Sequence, residues 1–160
     1  MGVTALEQLF AEHYVALVRL AVNLVDDAES AEDLVQDVFA SFDPNRVEDP
    51  ARYLRTAVVN RSRSALRRRK VARAFAGRAT RIELGEPADT GAVRTAERQT
   101  VLAAIDALPQ RQREAVVLRY YEDLPVTEIA QVLATTPSAV SSALSRALDT
   151  LATTLGDRND

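Results

Sequence analysis

The 160-residue chain contains no cysteine, no tryptophan, one histidine and one methionine. Without cysteine, disulfide scaffolds, thiolate zinc sites and cysteine nucleophiles are all excluded. A single imidazole, His13, argues against a Ser-His-Asp triad and against a multi-histidine metal site. No apolar run approaches the roughly 18 residues that a membrane span needs, so membrane insertion is not expected. The N-terminus lacks a basic patch followed by an apolar core, so no secretion signal is expected and a cytoplasmic location fits. Glycine is also scarce. The five are Gly2, Gly77, Gly85, Gly91 and Gly156, which leaves residues 3–76 without a free hinge.

What is present suits a globular protein of one domain or two small ones: 47% of residues are hydrophobic and 27% charged. The net charge of −3 hides a strong asymmetry. Residues 1–45 hold nine acids and one base, Arg19, whereas residues 46–81 hold twelve bases and two acids. The remaining two stretches, 82–126 and 127–160, are mildly acidic. A basic block inside an acidic protein points to a polyanion partner at one place rather than to a generally sticky surface. Nineteen of the twenty bases are arginine, whose fork matches phosphates and base edges better than an ammonium does.

The apolar spacing predicts an all-α protein. Tyr14, Leu17, Val18, Ala21, Leu24 and Val25 follow the i, i+3, i+4, i+7 rhythm of one helix. Ser30 is placed to cap the next, whose stripe is Ala31, Leu34, Val35, Val38 and Phe42, and Asp43-Pro44-Asn45 ends it. Asp49-Pro50 reads as a cap and a first-turn proline for a third helix, with Leu54, Ala57, Val58, Ala65 and Leu66 on its apolar face. Order is lost over 71–97, which holds three glycines and a proline and reads as a flexible linker. Periodicity returns with Val101, Leu102, Ile105 and Leu108, then with Val116, Val117, Tyr120 and Tyr121. A short helix over Thr127–Ala134 follows. The last helix opens at Pro137, with Val140, Leu144, Ala147, Leu148, Leu151 and Leu155 on one side. The expected organisation is therefore a helical domain over 1–72, a linker over 73–97 and a second helical domain over 98–160.

Three patterns could carry function. The Thr127–Ala134 helix, the tight Thr135-Thr136 turn and the helix from Pro137 have helix-turn-helix spacing, the second helix being placed to enter a major groove. The same spacing also fits an ordinary helical hairpin. The run Arg61, Arg63, Arg67, Arg68, Arg69, Lys70 and Arg73 crowds like charges on one helix, which repel unless an anion compensates; backbone phosphates are the natural candidate, and a solvated basic face is the bland alternative. The acids Asp26, Asp27, Glu29, Glu32, Asp33 and Asp37 lack a second carboxylate helix or a Glu-x-x-His partner, so a protein-binding or solvated face is expected instead of a metal site. No cofactor and no catalytic residue is expected.

Taken together, FAEHYVALVRLA (Phe10–Ala21), AEDLVQDVF (Ala31–Phe39) and ARYLRTAVVNRSRSALRRR (Ala51–Arg69) resemble the promoter-melting domain of the extracytoplasmic-function group of bacterial RNA polymerase sigma factors. ALPQRQREAVVLRYYEDLPVTEIAQVLATTPSAVSSALSRAL (Ala107–Leu148) resembles the helix-turn-helix domain of the same family. The resemblance implies a transcription initiation factor rather than an enzyme, with core RNA polymerase and promoter DNA as partners. It implies that Asp33, Leu34, Gln36, Asp37 and Phe39 dock on a coiled coil of the polymerase's largest subunit. It implies that Asn60 helps hold a flipped non-template base of the −10 element, that Arg61 and Arg63 line the strand, and that Arg67, Arg68 and Arg69 contact phosphates. The second domain would read the −35 element through Thr136, Ser138, Ser141, Ser142 and Arg146. An anti-sigma protein could clamp both domains and hide these surfaces.

The chain departs from the family pattern in places. Ser141 and Ala143 stand where the family commonly has Lys and then Arg or Gln, and Arg146 is alone among bases on that helix, with Asp149 after it. A net-acidic reading domain has few means of neutralising phosphates, so on its own it is expected to bind promoter DNA poorly. The usual tryptophan after the AEDLVQDVF helix is absent, with Phe42 available to take its packing role. Ala134 replaces a glycine common in the helix-turn-helix turn. Two rivals remain: a polymerase-independent, dimeric helix-turn-helix regulator, and a metal-dependent hydrolase using the acidic cluster. The first suffers from the weak basic content of 138–148 and the second from its missing ligands.

Overall fold

A computed structural model describes residues 4–25, 27–76 and 92–156. The chain divides into two compact units, Met1–Ile82 and Glu83–Asp160. Among the described residues all regular structure is helical.

The first unit packs three helices on one another: α1 (Ala5–Leu24), α2 (Ala28–Ala40) and α3 (Pro50–Ala76). Sequence-local chemistry sets each start. Thr4 and Glu7 form a reciprocal capping box, with Glu7 N–H donating to Thr4 Oγ1 at 3.2 Å. The expected cap of α2 is corrected: Asp27 holds that place, its carboxylate accepting from Ser30 N–H at 2.7 Å, and Ser30 sits inside the first turn. An ionised carboxylate is the stronger acceptor for exposed N–H groups at a helix start. Asp49 caps α3 as expected, accepting from Arg52 N–H at 3.2 Å. Leu17, Leu20, Ala21 and Leu24 of α1 meet Ala31, Leu34, Val35 and Val38 of α2 and Leu54, Val58 and Val59 of α3 in one core. Phe42 is buried 5.3 Å from the ring of Tyr53, in the packing role expected of it.

Beyond Ser62 none of the described side chains of α3 is fully buried, yet the helix runs on to Ala76. It thus continues past the start of the stretch read as a linker, and α4 (Ala92–Asp106) begins before its end. Residues 77–91, the middle of that stretch, lie outside the described residues.

The second unit comprises α4, α5 (Gln110–Val116), a π-helical turn (Val117–Tyr121), α6 (Val126–Val132) and α7 (Pro137–Gly156). The π turn is closed by Glu122 N–H donating to Val117 O at 3.2 Å. One extra residue per turn rotates the following side chains off the apolar stripe. Val116, Val117 and Leu118 are buried, whereas Tyr120 and Tyr121, expected on the same face, stand about half exposed. Ile129, Ala130 and Leu133 are buried with Val140, Leu144 and Ala147 where α6 packs on α7; Leu148, also expected there, is exposed.

The turn between α6 and α7 keeps its geometry without the glycine. Thr135 N–H donates to Ala130 O at 2.9 Å and Ala134 N–H to Gln131 O at 3.3 Å, the two bonds of a Schellman ending. This requires a left-handed residue, and Ala134 supplies it at φ 54°. Its Cβ is strained there, and its side chain is exposed, so nothing offsets the strain by burial. Ala134→Gly should therefore stabilise the second unit by about 0.5–1 kcal/mol, read as a rise of a few degrees in its melting temperature. A fall in melting temperature would contradict this account of the turn.

Candidate nucleic-acid interface

The basic block lies along α3, and its members are not equivalent. Asn60, Arg61, Arg67, Arg68 and Lys70 are exposed, and Arg63 is half-buried. The side chain of Arg73 lies outside what the structure describes. Arg69, expected to contact phosphate, is paired within the unit: its guanidinium is bound to the Asp27 carboxylate and donates to Ser30 Oγ at 3.1 Å.

Asn60 and Arg61 open onto a cleft of about 250 Å³ between α2 and α3. Val38, Ser41, Tyr53, Thr56 and Ala57 complete its lining, and Arg61 Nη2 donates to Ser41 Oγ across it at 3.1 Å. Tyr53, tilted against buried Phe42, offers an aromatic surface beside a carboxamide and a guanidinium. Sequence reasoning missed Tyr53 and Thr56. The signal was there, because residues 53, 56, 57 and 60 fall at i, i+3, i+4 and i+7 on one helix face.

A wider cleft of about 430 Å³ sets Asp33 and Asp37 of α2 opposite Arg61 and Arg68 of α3. On α2, Asp33, Gln36 and Asp37 are exposed, as a docking surface requires. Leu34 and Phe39 are only 8% and 5% exposed and contribute to the core of the unit, Leu34 also lining this cleft. The exposed aromatic on this side is Phe10 of α1, stacked on Tyr14 at 4.5 Å and edge-on to Phe39 at 5.0 Å. Gln36 Nε2 lies 3.5 Å from the Tyr14 hydroxyl, placing these groups side by side.

The fold moves the titration of Asp27. Burial pushes its carboxyl up, but the Ser30 N–H and hydroxyl and the Arg69 guanidinium outweigh that and hold it below the ordinary 3.8. The folded value lies below the unfolded one, so the stabilisation is complete above 3.8 and is lost as the pH falls through the lower, folded value. On acidification below 3.8, the stability advantage of wild type over Asp27→Asn should shrink in thermal unfolding, and a constant gap would contradict the pairing.

In the second unit Ser138, Ser141, Ser142 and Arg146 are exposed on α7. Thr136 is also exposed, and its hydroxyl accepts from Ala139 N–H at 3.1 Å, so it caps the helix. Among the described residues no three His, Cys, Asp or Glu side chains gather as a metal site; Asp26, one of the acids considered, lies outside them. His13 is half-buried, 3.8 Å from the Glu12 carboxylate.

Comparison with known proteins matches both units. Residues 9–72 match the sigma-70 region 2 model, and residues 98–151 match the sigma-70 region 4 model. The RNA polymerase sigma-E factor of Streptomyces coelicolor is 31% identical over 154 residues, covering 89% of this chain and 84% of that protein. Two solved structures are also similar. The sigma factor RpoE from Bartonella quintana, in complex with the anti-sigma factor NepR, has a TM-score of 0.76 and 25% identity, with 96% of this chain and 98% of that one covered. CnrH in complex with the cytosolic domain of CnrY has a TM-score of 0.69 and 25% identity, with coverages of 96% and 88%.

Proposed function

Because this chain belongs to the sigma-70 family, in its extracytoplasmic-function group, and is a transcription initiation factor for core RNA polymerase at promoter DNA, we propose that its first unit both docks on the polymerase and captures an unpaired base. The observation that supports this most is the cleft shared by Tyr53, Asn60 and Arg61, with exposed Arg67 and Arg68 further along the same helix. Extruding a base from duplex DNA costs a few kcal/mol. Stacking on an aromatic side chain returns about 1–3 kcal/mol, and the Asn60 carboxamide can both donate to and accept from a base edge. Arg67 and Arg68 neutralise phosphates of the same strand. Asp33, Gln36 and Asp37 form the docking surface on α2.

The domain organisation we propose remains a melting and docking unit, a connecting segment and a reading unit. The reading unit approaches the −35 element through Ser138, Ser141, Ser142 and Arg146, with Thr136 fixing the helix start. With one base on that helix it contributes less affinity than the first unit. The protein acts by binding and geometry, and bond-making belongs to the polymerase. It works in the cytoplasm, beside the chromosome; no helix among the described residues is long and apolar enough to cross a membrane. An anti-sigma factor, such as the one bound to the Bartonella relative, would regulate it by covering one or both surfaces. The polymerase-independent regulator is not favoured, because both matched regions belong to sigma factors. Transcription of host genomic DNA by core polymerase, with and without the full chain, tests the reading. New start sites are expected with the chain present, and identical transcript sets would sink it.

A further inference from the structure

Four consecutive bases, Arg67, Arg68, Arg69 and Lys70, follow Ser62, the last fully buried position among the described side chains of α3. Side chains there repel one another, and only half-buried Ala65 and Leu66 add apolar packing. A helix in that condition frays and swings unless something holds it. Arg69 is about two turns, or roughly 10 Å, beyond Ser62. Its guanidinium reaches the Asp27 carboxylate 42 residues earlier in the chain, at the start of α2. The contact is built from both sides: Asp27 accepts from Ser30 N–H and from the Ser30 hydroxyl, each at 2.7 Å, while Ser30 Oγ accepts from Arg69 at 3.1 Å. Asp27 and Arg69 are about three-quarters or more buried, with side-chain exposures of 20% and 26%. That is a sheltered pair whose carboxylate takes three donors, unlike a loose surface ion pair.

We propose that Arg69 is a positioning residue for promoter opening: clamped to Asp27 and Ser30, it ties the DNA-facing half of α3 to the polymerase-docking helix α2 and so aims Arg67 and Arg68. This rests on the reading of function given above and assigns Arg69 a part other than phosphate contact. The two assignments predict opposite signs for one substitution. If Arg69 contacts phosphate, Asp27→Asn frees a cation and removes an anion, and DNA binding tightens. If Arg69 positions the rod, the same substitution loosens it and promoter opening falls. Asparagine is itself a good N-cap and has the shape of aspartate, so α2 keeps its start in this variant.

The test uses the full chain with core polymerase and follows open-complex formation on a duplex promoter and on one carrying a pre-opened bubble. Asp27→Asn and Arg69→Ala should each reduce opening of the duplex roughly tenfold, and the double variant should be no worse than either single one, because both remove one shared interaction. Both should return to within about twofold of wild type on the bubble, a recovery that a general folding defect would not give. Arg67→Ala, which removes a phosphate contact outright, lowers the salt slope of DNA binding by about one and should not be rescued on the bubble to the same extent. Wild-type or improved opening by Asp27→Asn overturns the proposal. If Arg69→Ala fails to fold, Asp27→Asn still decides by its sign. A wild-type chain that does not activate the polymerase at all removes the functional reading and this inference together; an active wild type with an unaffected Asp27→Asn removes only the inference.

Discussion

Exchanging Asp33 and Asp37 together for lysine should weaken binding to core RNA polymerase by at least about 100-fold while leaving the chain folded. The two carboxylates are exposed one turn apart on α2, and neither takes part in the buried stripe that holds α2 to α1 and α3. Charge at an interface steers and discriminates, and like-charge juxtaposition costs several kcal/mol. At 1.4 kcal/mol per tenfold, a loss of two decades needs only about 3 kcal/mol. Both acids also face Arg61 and Arg68 across the wider cleft. Lysines there add repulsion toward α3, so the paired Asp→Asn variant is the control: it removes attraction without adding like charge and should lose about tenfold. Fluorescence anisotropy of labelled chain against core polymerase measures both, with circular dichroism melts confirming the fold. Binding within twofold of wild type for the lysine pair would remove α2 from the docking surface.

A different failure is expected of Phe39→Ala. That ring lies in the core against Phe10, and deleting it costs about 3–5 kcal/mol, enough to unfold a small unit. Telling these two kinds of residue apart is where the sequence was least informative. The repeat of Leu34, Val35, Val38 and Phe39 marks one helix face, but a motif of adjacent letters runs around the whole helix and mixes the buried with the exposed. The helices themselves, their order and the turn positions could be read from periodicity, caps and prolines, because those are local effects. The cap of α2 was misplaced by three residues because aspartate and serine both suit a helix start and only the fold brings Arg69 to the former. The tyrosines of Val117–Tyr121 were misplaced because a π turn has no sequence period of its own. The candidate cleft was partly legible: Asn60 and Arg61 could be picked out from the motif and Tyr53 shares their helix face, but the tilt of its ring against Phe42 comes from a separate segment.

Removing the Asn60 carboxamide should slow opening of a duplex promoter by roughly ten- to a hundredfold. The side chain is exposed at the cleft rim, so Asn60→Ala has little to disturb in the core, and any defect is a binding defect. A base turned out of the stack has lost its pairing partner, and its edge groups need new ones. A bidentate amide contact discriminates by about 1–3 kcal/mol, and that difference enters the opening equilibrium directly because the paired duplex gains nothing from Asn60. Tyr53→Ala should act in the same direction through lost stacking, about 1–3 kcal/mol, whereas Tyr53→Phe keeps the ring and should stay near wild type. The pattern across promoters separates the two residues. Loss of Asn60 should relax the preference for the captured base, since hydrogen bonds distinguish bases; loss of Tyr53 should weaken all promoters alike, since every base presents a π face. Permanganate footprinting of the melted strand, run on a set of promoters differing only at the extruded position, reads both effects. An Asn60→Ala chain that opens every promoter in the set as wild type does would show that the cleft does not hold the base.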